Sequence, residues 1–198
     1  MIVKENLLGK RDENNTDAVE VIFGVFLTVI TVILILMVAV KSFWLSPYLI
    51  SGSSMEKTLN SGDWVVADVI SSVKKGDVVI VYNPDREYNI VKRVVGMPGE
   101  TVYFDDDGVV YEMTTENGEE KYTAIEESYA YYCKPMSENK TVQSVTLTDD
   151  EVFVLGDNRR NSSDSRTYGA FKIGNVKGVV KEWTINCRKQ LKWLYPYI

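Results

Sequence analysis

The chain has 198 residues, 45% hydrophobic and 25% charged, with a formal net charge of −6; this balance suits a globular domain and offers no basis for binding nucleic acid. It contains no histidine, which excludes Ser-His-Asp and Cys-His catalysis and every zinc site built on imidazole. A nucleophile here has to be activated by a carboxylate, a lysine or the terminal amine.

Residues 1–17 are polar and are expected to form a frayed tail. From Val21 to Val40 there is no charged residue, and at about 1.5 Å per residue such a helix spans about 30 Å, the hydrocarbon thickness of a bilayer. A cleaved signal peptide would have a shorter apolar region followed by a small-x-small site. This segment ends Val38-Ala39-Val40-Lys41, so a retained transmembrane helix over 18–41 is expected. Lys4, Lys10 and Arg11 precede it and Lys41 alone closely follows, which predicts a cytoplasmic N-terminus and an extracytoplasmic domain over 42–198. Phe43, Trp44 and Tyr48 stand where an interfacial aromatic belt belongs.

Ser51-Gly52-Ser53-Ser54-Met55-Glu56-Lys57-Thr58-Leu59 follows. Serine-rich stretches favour turns because their hydroxyls bond the local backbone, so this one is either a plain loop or a place where a hydroxyl is presented. Short β-branched runs come next, at 63–69, 77–82, 89–95 and 101–104. Asp105-Asp106-Asp107-Gly108 carries an Asp-Gly hairpin signal before 109–111. Lacking the spaced ligands of a calcium loop, it is expected to be a solvated turn. Residues 112–148 have weaker periodicity and are expected, with the turn before them, to form a variable inserted lobe over 105–148. Runs at 151–155 and 178–183 complete the pattern of a mainly β, largely antiparallel domain.

Two features of these runs carry chemistry. Strand alternation puts Lys92 on one face with Ile90 and Val94. Such a lysine is either an edge-strand guard against aggregation or an amine that burial drives towards its neutral, basic form. Gly156 to Arg166 holds two acids, three arginines and three serines. That stretch is either a solvated loop or a charge-paired clamp, since arginine pairs bidentately with carboxylates.

Together, Gly52 to Leu59, Tyr88 to Glu100 and Gly156 to Arg166 resemble the three boxes of the bacterial type I signal peptidases, membrane-anchored Ser-Lys proteases. The resemblance covers roughly residues 20 to 183 and is weakest across 105–148. It implies a coiled, largely antiparallel β-sheet catalytic domain behind a single anchor, and no cofactor or metal. It implies Ser54 as nucleophile and Lys92 as general base. The Ser54 N–H and the Gly52 position would serve the oxyanion, and Ser162 would orient the lysine amine. Met55 would pack beside the nucleophile, while Arg93, Asp157, Asp164 and Arg166 would brace the site as ion pairs. The implied partners are the lipid bilayer and preproteins whose signal peptides end with small residues at −1 and −3.

Three positions depart from the boxes. Lys57 replaces a proline, which predicts a less rigid turn; Arg160 replaces an aspartate; and Gly52 stands where some members carry a serine. Ser54-Met55-Glu56-Lys57 also spells the S-x-x-K of penicillin-binding proteins, but the Lys-Thr-Gly motif those proteins need is absent. Self-cleaving repressors share the serine and lysine logic but carry a DNA-binding module where this chain has an apolar span. The alternative of another class is a membrane-tethered β domain that binds without catalysis. Cys133 and Cys187 could form one bridge, though neither is near a base in sequence.

Overall fold

The computed structural model describes residues 5–116, 118–132 and 141–187. Cys133, part of the expected lobe and the chain ends lie outside them. Two units divide the chain, Met1–Trp44 and Leu45–Ile198.

The first unit is helix α1, Glu5–Trp44. It is continuous from Glu5, so the expected frayed tail is helical over most of its length. Within it Ala18–Ala39 is long and apolar enough to cross a membrane, and its side chains are exposed throughout. A helix that is apolar on every side satisfies its own backbone hydrogen bonds and needs an apolar surround, which lipid supplies.

The second unit is built on a seven-stranded sheet. Its strands are β1 (Leu45–Leu49), β2 (Trp64–Asp68), β3 (Val78–Asn83), β4 (Tyr88–Gly96), β9 (Glu151–Leu155), β10 (Phe171–Lys172) and β11 (Val176–Val180). They run in the order β1-β2-β11-β3-β4-β9-β10, with antiparallel pairing throughout. β3 is buried on both faces: Val78 and Ile80 enter one core cluster, Val79 and Val81 another. That explains why it reads as an unbroken apolar run rather than an alternating one. The strand expected over 178–183 stops at Val180, and Glu182–Asn186 instead form a short helix, α3.

A second sheet has the order β7-β6-β5-β8, from β5 (Thr101–Phe104), β6 (Val110–Glu116), β7 (Glu119–Ala124) and β8 (Gln143–Thr146). Its β5 precedes residue 105, so the expected lobe shares its sheet with the flanking chain. Val102, Phe104 and Val110 join Val95, Phe153 and Leu155 in a third cluster, locking the two sheets together.

The turn between β5 and β6 corrects one expectation. It is tight, with the Gly108 N–H donating to the Asp105 carbonyl at 2.9 Å. Yet Asp105 and Asp107 are buried rather than solvated. Asp105 accepts from the Val109 N–H at 2.9 Å and the Tyr111 hydroxyl at 2.8 Å, and Asp107 pairs with Arg160 at 2.9 Å. Buried carboxylates persist only with such partners. The arginine that departs from the last box thus has its own counter-ion in this turn.

Candidate active site

Ser54 sits on a turn between β1 and β2. The turn is pinned by Met55 and Leu59, both fully buried, each worth roughly 1.5–3 kcal/mol of burial. The Leu59 N–H closes back on the Met55 carbonyl at 2.7 Å. Gly52 has φ +93°, a conformation that glycine adopts freely and a side chain resists. Lys57 has φ +74°, which costs about 1–2 kcal/mol in a non-glycine residue and lies beyond the reach of a proline ring. The expected loss of rigidity is therefore the wrong description, because proline does not fit this turn at all. Lys57 is exposed, with its ammonium 3.8 Å from the centre of the Tyr131 ring.

Lys92 comes from the middle of β4 and is 4% exposed. Its Nζ lies 2.8 Å from Ser54 Oγ and 2.9 Å from the Val91 carbonyl. Burial pushes its pKa down to about 8 against the upward pull of Asp164 and Asp157, while Arg166 adds to the depression. A group with a pKa near 8 holds a usable fraction of neutral amine at neutral pH, and a neutral amine in hydrogen-bond contact with a hydroxyl can take its proton.

The 156–166 segment closes over this pair. Arg93, next after Lys92, grips the fully buried Asp157 with Nε at 2.8 Å and Nη2 at 2.6 Å, and donates through Nη1 to the Gly76 carbonyl. Asp157 also accepts from the Thr58 hydroxyl at 2.6 Å, and its N–H approaches Met55 Sδ at 3.4 Å. Asp164 caps the short helix α2 (Ser165–Tyr168) and accepts from Arg166 and from the Gly156 N–H at 3.0 Å. Burial alone would raise the Asp164 carboxyl, but Arg166 and the Gly156 N–H hold it below its ordinary value. Gly156 is required by space: a Cβ there would meet Ser162 Oγ at 2.3 Å and the Ser54 carbonyl at 2.6 Å.

Ser162 differs from expectation. Its buried hydroxyl lies against Gly156, and its geometry forms no hydrogen bond with Lys92 or any other described group. Lys92 is oriented instead by Ser54 and the Val91 carbonyl.

Sequence reasoning passed over Asn158 and Arg159. The Asn158 N–H donates to the Ser54 carbonyl at 3.0 Å, and its side-chain amide donates to the Ser53 carbonyl and to Glu56, both at 3.1 Å. Arg159 is 1% exposed and bonds Glu127 and the Gly108 carbonyl. Both lie inside the last box, but only their long-range partners reveal what they hold.

A groove of about 460 Å³ opens onto Ser54 and Lys92, walled by residues 48–51, 88–91, Ile80 and Ser163. β9 pairs with β4 from Arg93 onward, so residues 88–92 turn a backbone edge towards the groove. An extended peptide can add to such an edge by main-chain hydrogen bonds.

The family model described as signal peptidase, peptidase S26, matches residues 23–184. Signal peptidase I of Bacillus amyloliquefaciens is 32% identical over 161 residues, 77% of this chain and 82% of that protein. Signal peptidase I T of Bacillus subtilis strain 168 is 34% identical over 150 residues, 69% of this chain and 72% of that protein. The crystal structure of a signal peptidase I from Enterococcus faecalis V583 superposes with a TM-score of 0.43 at 28% identity, covering 57% of this chain and 99% of that one.

Proposed function

The chain belongs to the signal peptidase family, peptidase S26, and on that premise we propose that it is a serine endopeptidase removing signal peptides from exported preproteins, with Ser54 and Lys92 as its reacting pair. The observation that carries this assignment is the 2.8 Å contact between Lys92 Nζ and Ser54 Oγ in a buried setting.

With the amine neutral, the hydrogen bond runs from the Ser54 hydroxyl to Nζ. As Oγ attacks the carbonyl carbon before the cut, its proton passes to Lys92. The developing oxyanion is met by the Ser54 N–H at the Gly52-containing turn, a donor aimed where charge appears. Collapse breaks the C–N bond, and the lysine ammonium returns its proton to the leaving amine. A water that loses a proton to Lys92 then hydrolyses the ester to Ser54, and the proton passes back to Oγ.

The substrate lies extended along the 88–92 edge, with small residues at −1 and −3 facing the groove where larger ones clash. α1 holds the enzyme in the bilayer with its N-terminus cytoplasmic, so the cut is made at the outer face.

The test uses purified full-length protein and one preprotein. Ser54→Ala and Lys92→Ala are each expected to abolish cleavage, about equally, because the two act as a unit. Lys57→Ala is expected to retain most activity, since Lys57 is exposed and faces Tyr131. A dead Lys57→Ala alongside an active Lys92→Ala would reverse the assignment, full activity in Ser54→Ala would remove Ser54 as nucleophile, and no cleavage by the wild-type protein would favour a tethered binding domain.

A further inference from the structure

The pair is braced from a third direction, by part of the chain expected to be a variable inserted lobe. Glu127 pairs with the buried Arg159 and accepts the Tyr129 hydroxyl at 2.7 Å. The Tyr129 ring centre lies 4.0 Å from the Arg93 guanidinium and 5.9 Å from that of Arg159. The Tyr131 N–H donates to the Asp157 carbonyl at 2.6 Å, and the Tyr131 carbonyl accepts from the Arg159 N–H at 2.8 Å. Tyr131 and Asn158 thereby form an isolated parallel bridge.

We propose that residues 127–131 form a strap that positions the 156–162 loop on Ser54 and Arg93, with Tyr129 and Tyr131 as positioning residues for the Ser54–Lys92 pair. The proposal rests on that pair being the reacting groups.

Two contacts make the loop critical. Asn158 holds the Ser54 carbonyl, and Asp157 holds Arg93, the residue after Lys92. Both are carried by neighbouring residues, so a displacement of the loop moves serine and lysine relative to each other. Arg93 spends its edge on Asp157 and the Gly76 carbonyl. Its flat face is left for an aromatic ring, which attracts a cation without competing for the carboxylate. Tyr129 supplies that ring, and Tyr131 supplies the backbone bridge to the loop, with its own ring under Lys57.

The test uses full-length enzyme in detergent with a preprotein bearing Ala at −1, and kcat and KM are measured separately from pH 6 to 10. Tyr129→Ala, and Tyr131→Pro, which removes the N–H bonded to the Asp157 carbonyl, are expected to lower kcat by about 100-fold, the scale of a 1 Å misplacement, with KM little changed. Tyr129→Phe and Tyr131→Phe keep the ring face and backbone and are expected to stay close to wild type. The charged groups acting on Lys92 are Asp164, Asp157 and Arg166. Burial outweighs them, so admitting water is expected to move the acid limb of kcat upward in the Tyr129→Ala and Tyr131→Pro variants. Tyr129→Leu, which keeps apolar volume, replaces Tyr129→Ala if circular dichroism shows the latter unfolded.

Unchanged kcat in the folded Tyr129→Ala (or Tyr129→Leu) and Tyr131→Pro variants, with Ser54→Ala inactive, overturns the strap alone. So does a kcat loss that only follows the folded fraction and leaves the acid limb unmoved. Cleavage by Ser54→Ala overturns the underlying assignment and the strap with it.

Discussion

Activity and stability should both titrate with Lys92, each rising with pH but in successive windows. Burial takes its amine from 10.5 to about 8. At pH 7 about a tenth of such amines are neutral, against about three in ten thousand for an unshifted lysine, roughly a 300-fold gain in the reactive form. The value of kcat/KM is therefore expected to rise nearly tenfold from pH 6 to 7, bend near 8 and level off above it. The folded pKa lies below the unfolded one. Between about 8 and 10.5 the unfolded chain binds more protons, so stability rises with pH through that window. Below 8 both states are charged and the burial cost is fully present, about 3 kcal/mol for this shift. Lys92→Met is thus expected to be inactive yet more stable at pH 7, by up to about 3 kcal/mol, with the advantage fading as pH approaches 10.5. Denaturant unfolding of both proteins at pH 7 and pH 10, beside a pH profile of cleavage, reads both effects. A kcat/KM that is flat from pH 6 to 8, or equal destabilisation of Lys92→Met at both pH values, would refute the reasoning.

Replacing a −1 Ala of the preprotein by a bulky residue is expected to stop processing, and equal cleavage of both substrates by gel assay would remove the proposed size selection. Asp157→Ala leaves Arg93 without its fully buried partner, so a loss of roughly 3–5 kcal/mol is expected; a melt shift too small for 1 kcal/mol would show the pair to be dispensable. A truncation beginning near Trp44 is expected to leave the membrane fraction yet cleave peptide in detergent or lipid. A mature N-terminus at or beyond Lys41 in native membranes would show that the helix is not kept as an anchor.

Some of this was written locally. An apolar helix is specified by twenty consecutive uncharged residues, and β2, β3, β4, β5 and β9 by runs whose β-branched side chains favour a pleated, buried surface. β1, with Pro47 in it, and β7, rich in charge, lack that signal; they are strands because partners lie beside them. The three boxes were legible as a resemblance because residue identities at fixed spacing survive in the text of a chain. The contacts between them were not. Ser54 and Lys92 lie 38 positions apart, and only the folded sheets bring hydroxyl to amine. The same limit hid the strap. Glu127, Tyr129 and Tyr131 sit in a stretch of weak periodicity, and their meaning lies in arginine planes and backbone groups supplied by distant strands and loops. The burial of Asp105 and Asp107 and the orphaned hydroxyl of Ser162 were equally out of reach. Whether a polar group is solvated or paired depends on what the tertiary structure places against it, and periodicity records only which way a side chain faces.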